Sequence, residues 1–84
     1  DTFRGLALAY EAMKRGGNVP TTFNAANERA VALFLDRKIS YPMITEIIEM
    51  CMGECEYIEH PDVDEILQTE ALTYELIERK VLGH

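Results

Sequence analysis

Cys51, Cys55 and His60, with Glu54, Glu56 and Glu59 among them, are the densest group of potential metal ligands in this 84-residue chain. The two thiols stand four residues apart, one helical turn, a separation that zinc tolerates. One thiol pair and one histidine nevertheless fall short of the paired ligand sets of structural zinc sites, and Gly53 is expected to break the helix between the thiols. No metal ligand is therefore assigned. Cys51 reads as a small core hydrophobe and Cys55 as a reduced loop thiol. Thiols one turn apart cannot staple distant segments, so a reducing compartment is the simpler expectation.

Gly16-Gly17-Asn18-Val19-Pro20 has some of the look of a phosphate cradle, because a helix follows whose N-terminus attracts anions. It lacks the preceding strand, the lysine and the glycine spacing of the nucleotide-binding fingerprints. A helix C-cap followed by an N-terminal proline explains it better. His60 reads as an exposed loop residue and His84 as a chain terminus; neither has a nucleophile or base patterned around it. Asn24, Asn27 and Glu28 fall on one helix face and form the one polar cluster that looks non-random. Asparagine is a mediocre helix former. Two of them opening a strong helix predict carboxamides that bond buried loop groups left over by helix ends, a structural role rather than a catalytic one.

Four helical segments emerge from the apolar spacing. The first, Phe3 to Arg15, carries Phe3, Leu6, Tyr10 and Met13 on one stripe beside Ala7, Ala9 and Ala12. The second runs from about Pro20 to Asp36, with Phe23, Ala26, Ala30 and Leu33 on one face and Asn27, Val31, Phe34 and Leu35 on the next. So wide an apolar arc predicts a central helix. The third takes Ser40 as N-cap and Pro42 in its first turn, uses Ile44, Ile47, Ile48 and Cys51 as its stripe, and ends at Gly53. The fourth opens with a capping box, Asp62 with Glu65, and continues through Val63, Ile66, Leu67, Ala71, Tyr74, Ile77 and Val81. Tyr57 and Ile58 pin the connection between the last two. Most methionines fill core gaps, while Met43 and Met50, seven apart, are candidates for an outer stripe facing another domain. With no period-two alternation, the expected fold is all-α: a small antiparallel four-helix bundle, residues 1–84 forming one domain.

The net charge of −7 is confined to the last third, where residues 54–84 hold nine acids against Arg79 and Lys80. An acidic surface disfavours nucleic acid and anionic membranes as partners. The longest apolar run, Ala30 to Leu35, is too short to span a bilayer. No basic-plus-apolar leader opens the chain, and the absence of an initiator methionine reads as a piece of a longer protein.

The segment Ala9 to Ile39 closely resembles the C-terminal region of the 1-deoxy-D-xylulose 5-phosphate reductoisomerase family. The residues concerned are Gly16-Gly17-x-x-Pro20, Asn24-Ala25-Ala26-Asn27-Glu28, Ala30-Val31 and Phe34-Leu35. The likeness continues through Ile39-Ser40-Tyr41, where the family usually has Ile-x-Phe, then Ile44, Ile47-Ile48 and Pro61 to Leu67. The resemblance implies a parent enzyme that rearranges 1-deoxy-D-xylulose 5-phosphate and reduces it to 2-C-methyl-D-erythritol 4-phosphate. It implies NADPH and Mg²⁺ or Mn²⁺ as cofactors, held by domains upstream of this region, and a homodimer formed through the catalytic domain. It further implies a cytoplasmic enzyme of non-mevalonate isoprenoid synthesis, or a plastid one in a plastid-bearing eukaryote. Its C-terminal region is a supporting helical bundle, so no catalytic, cofactor or metal residue carries over to this chain, and the partner is the rest of the same polypeptide. Tyr41, Cys51 and Cys55 depart from the family pattern at apolar or loop positions. The alternative is a free-standing helical interaction module that meets a basic partner through its acidic fourth helix.

Overall fold

Two glycines and a proline set the first corner of the chain. The computed structural model describes residues 2–83, so His84 lies outside them. Helix α1 spans Thr2–Arg15 and is stopped by Gly16 and Gly17, both with positive φ (69° and 58°). Helix α2, Val19–Leu35, follows after three residues, with Pro20 at its second position, where no intrahelical N–H is lost.

The end of α2 carries no glycine. Arg37 takes the left-handed conformation instead, with φ at 61°. Its N–H donates to Phe34 O at 3.0 Å and that of Lys38 to Leu33 O at 2.9 Å, the paired bonds of a Schellman motif. Helix α3 spans Met43–Glu54 and helix α4 Val63–Val81. The α4 capping box forms as the sequence implies: Glu65 N donates to Asp62 Oδ1 at 2.8 Å, and Asp62 N to Glu65 Oε1 at 3.0 Å.

The entry to α3 differs from expectation. Pro42 rather than Ser40 is the N-cap, and no side chain caps the helix. Ser40 and Tyr41 act through their carbonyls, which accept from Met43 N and Ile44 N at 3.1 Å each, so a backbone turn does the work assigned to the Ser40 hydroxyl. Gly53 stays helical, and the chain turns extended only at Cys55.

All described secondary structure is helical, which makes the fold all-α. Helices α2 and α3 form the centre; α1 and α4 each touch both, and α1 and α4 do not meet. The result is flat, 36 × 30 × 17 Å. Ile48, Met52, Ile77 and Val19 are fully enclosed, each contributing about 1.5–3 kcal/mol of transfer free energy. Ala12, Ala26 and Ala30 lie between them and let the helices approach closely.

The face of α1 is turned the other way from the sequence reading and that of α4 only in its first half, since Ile77 and Val81 of the expected stripe do reach the core. On α1 the core takes Leu8 and Ala12, while Phe3, Leu6, Tyr10 and Met13 point to solvent. On α4 the buried positions are Thr69, Thr73 and Ile77, and Val63 and Leu67 of the expected stripe are exposed. Met43 and Met50 pack against the core instead of forming an outer stripe, and the methionine on the outside is Met13.

Candidate functional site

Where the α1–α2 turn meets the 54–61 connection, a single carboxamide ties three segments together. Asn18 is 1% exposed and lies just past the two left-handed glycines. Its Nδ2 donates to Glu56 O at 2.9 Å and to Thr69 Oγ1 at 3.1 Å, and its Oδ1 accepts from Ile58 N at 2.9 Å. Its own backbone N–H donates to Ile58 O at 3.0 Å. The connection is thus paired to residue 18 almost as a strand would be, and α4 is attached through Thr69.

Gly17 makes the approach possible. A Cβ there would lie 2.2 Å from Ile58 O and 2.8 Å from the Tyr57 ring. Tyr57 is half exposed, but its hydroxyl donates to Arg15 O at 3.3 Å, and Arg15 Nη1 donates to Met52 O at 3.3 Å. Tyr57 and Ile58 do pin the connection, through polar atoms rather than through ring burial.

Beside this junction lies a cleft of about 290 Å³, lined by Asn18, Thr22, Cys51, Cys55 and Thr69 among others. Its chemistry is quiet. Cys51 is buried, and enclosure, with the nearby Glu54 carboxylate and Cys55, pushes its thiol up to about 12. Cys55 is half-buried, and its sulfur accepts from Thr22 Oγ1 at 3.1 Å. Both cysteines are free thiols. Among the described residues, no three His, Cys, Asp or Glu side chains cluster as a metal site. His60 is exposed beside Glu59, 3.3 Å away. Three amides of the glycine turn are spoken for: Gly16 N donates to Ala12 O, Asn18 N to Ile58 O and Val19 N to Gly16 O. An incoming phosphate would have to break those bonds.

The cluster read from sequence is split. Asn24 and Asn27 are exposed, and neither side chain makes a hydrogen bond among the described residues. The expectation of buried carboxamides there is overturned. Their turn of α2 presents Thr22, Ala25 and Ala26 to the core, which rotates 24 and 27 outward. Glu28 is also exposed but accepts from Tyr74 Oη at 2.8 Å, a bond that pushes the phenol up to about 12. Next to it Arg29 pairs with Glu78 at 3.1 Å, so two polar ties bridge α2 and α4.

The buried carboxamide is Asn18, and its partners are Thr69 of α4 and the backbone of Glu56 and Ile58. Two signals were present. An asparagine directly after two glycines at a helix end is well placed to reach back to a neighbouring loop, and Thr69 and Thr73, four apart and in line with Ile77, mark a face.

Residues 1–76 match the family model described as the DXP reductoisomerase C-terminal domain. The chain belongs to that family. This C-terminal domain is 60% identical over 80 residues to the 1-deoxy-D-xylulose 5-phosphate reductoisomerase of Agathobacter rectalis, covering 95% of this chain and 21% of that protein. The enzyme of the same name from Lachnospira eligens is 56% identical over 80 residues, with the same coverage. That of Thermoanaerobacter sp. is 46% identical over 82 residues, 98% of this chain and 22% of the relative. The chain spans about a fifth of the length of the curated relatives it matches. No solved structure matches it. No helix among the described residues is long and apolar enough to cross a membrane.

Proposed function

We propose that residues 1–84 form one domain, the C-terminal supporting domain of an enzyme acting on 1-deoxy-D-xylulose 5-phosphate. The observation that carries this reading is the 60% identity to a reductoisomerase over 95% of the chain. In this reading the whole polypeptide rearranges and reduces its substrate to 2-C-methyl-D-erythritol 4-phosphate in isoprenoid synthesis, using NADPH and Mg²⁺ or Mn²⁺. It works as a homodimer in the cytoplasm, or in the plastid of a plastid-bearing cell.

The residues of this domain do not fit those cofactors. The glycine turn spends the amides of Gly16, Asn18 and Val19 internally, and the domain's carboxylates, thiols and histidines form no ligand cluster among the described residues. In this reading NADPH and metal are held by the rest of the polypeptide, and no chemical step is assigned here. Asn24, Asn27 and Glu28 are a structural surface in this reading: Glu28 holds Tyr74, and the two carboxamides face outward. The family match favours this over a free-standing acidic module.

The full-length polypeptide, given substrate, NADPH and Mg²⁺, is expected to oxidise NADPH, and residues 1–84 alone are expected to oxidise none. Absorbance at the NADPH band decides. Turnover by residues 1–84, or an inert full-length polypeptide, would overturn the proposal.

A further inference from the structure

Helix α1 has two apolar faces, and the fold uses only one. Leu8 and Ala12 enter the core, and Gly5 lies against Thr45 of α3. On the far side of the helix, Phe3 (85% exposed), Leu6 (53%), Tyr10 (66%) and Met13 (74%) recur every three or four residues. Together they present on the order of 500 Å² of largely apolar surface, at the upper end of what a monomer ordinarily shows. Ala7 stands at the edge of this stripe, small enough to let another backbone come close.

We propose that this stripe is the surface on which the rest of the polypeptide, N-terminal to Asp1, docks. The inference rests on the domain reading above. Its first support is the length of the relatives: about four-fifths of each lies outside the matched region, and the family is defined as a C-terminal domain, so the remainder precedes α1. Its second support is position. α1 is at the margin of the flat bundle, touching α2 and α3 but not α4, so none of the other three helices covers its outer side. The third is area. Covered by either occupant, a patch of about 500 Å² buries about 1,000 Å² over the two sides, within the range of contacts between domains of one chain but below what a stable dimer of two copies needs. The fourth is charge. The stripe lies on the balanced part of the chain, far in sequence from the acidic last third, and Lys14 at its end suits an apolar partner with an acidic edge.

The test uses the full-length polypeptide with Tyr10→p-benzoylphenylalanine, prepared as an equal mixture of isotopically light and heavy chains and irradiated. Crosslinks are expected within one isotope class, from position 10 to peptides N-terminal to Asp1. Met13 in the folded polypeptide is expected to oxidise with peroxide at least roughly tenfold more slowly than after unfolding in urea, because the interface must open first. Light–heavy crosslinks joining α1 to α1 would make a second copy the occupant and overturn the assignment. Met13 oxidising at the unfolded rate would overturn it as well. Both readouts are independent of turnover, so an inert enzyme with a protected Met13 refutes the functional reading and leaves the docking surface standing.

Discussion

Replacing Asn18 with alanine removes three side-chain hydrogen bonds in one step and strands their partners: Glu56 O, Thr69 Oγ1 and Ile58 N. Thr69 is buried, so its hydroxyl bears most of the loss. The two backbone groups border the cleft of about 290 Å³, where water can partly replace the amide. A buried polar group left without a partner costs about 1–3 kcal/mol, and a bond exchanged for water much less, so the sum is about 2–3 kcal/mol. For 84 residues the total stability is on the order of 4–12 kcal/mol, and a loss of that size lowers the melting temperature by about 10–18 °C. Urea unfolding followed by circular dichroism measures it, with Asn24→Ala and Asn27→Ala as controls. Those two side chains are exposed and sit inside a helix, so alanine there should be neutral or stabilising by up to about 0.5 kcal/mol. If Asn18→Ala unfolds at the parental midpoint, or Asn27→Ala is the more damaging, Asn18 is not what holds the connection.

Gly17→Ala should cost about 3 kcal/mol or more, from left-handed strain plus the collision with Ile58 O, while Gly16→Ala, with open space at its Cβ, should cost only about 1–2 kcal/mol; equal losses in urea melts would refute the close approach. Arg37→Gly should stabilise by roughly 0.5–1 kcal/mol, because the Schellman motif already holds residue 37 at positive φ, and a lowered midpoint would contradict this. Cys51 should resist alkylation at pH 8 while Cys55 reacts, as peptide mass mapping can show, since the buried thiol titrates only near 12. The same shift fixes a pH dependence. The folded value lies above the ordinary thiol value of 9.0, so the Cys51 contribution is complete below about pH 9 and fades as pH rises towards 12; Cys51→Ala should flatten that decline.

Helix number and most helix ends were legible because their signals are local. Two glycines, a proline at the second position of α2 and an Asp-x-x-Glu box each act within one turn of chain. The end of α2 was placed within a residue by the apolar pattern, yet its mechanism was hidden: no glycine announces that Arg37 goes left-handed, where backbone bonds to Phe34 and Leu33 hold the turn. The face of α1 and the first half of that of α4 were misassigned for a physical reason. Apolar spacing reports that a stripe avoids water, not which surface covers it. On α1 both faces are apolar, and the larger side chains are the ones left outside this fold. On α4 the buried face is built from threonines, whose polarity concealed it. Asn24 and Asn27 drew attention by number, but burial depends on the rotation of α2, which the alanines at 25, 26 and 30 settle.

Those threonines explain why the buried contacts of α4 are polar towards one end and apolar towards the other. Ile77 and its neighbour Leu76 anchor the second half by packing, which is non-directional and tolerates small rotations. The first half presents Thr69 and Thr73. Thr73 returns its hydroxyl to Thr69 O at 2.8 Å, and Thr69 is bound by the Asn18 amide at 3.1 Å. A leucine at 69 would add burial but would leave the Asn18 amide short of a partner, and it would not fix the rotation of α4 as a hydrogen bond of defined direction does. Because the same carboxamide also holds residues 56 and 58, the loop leading into α4 and the helix face following it are set by one side chain. The α1–α2 turn therefore determines the orientation of an element some fifty residues later. That gives the Gly-Gly-Asn sequence a structural reason to be kept intact, with no ligand required.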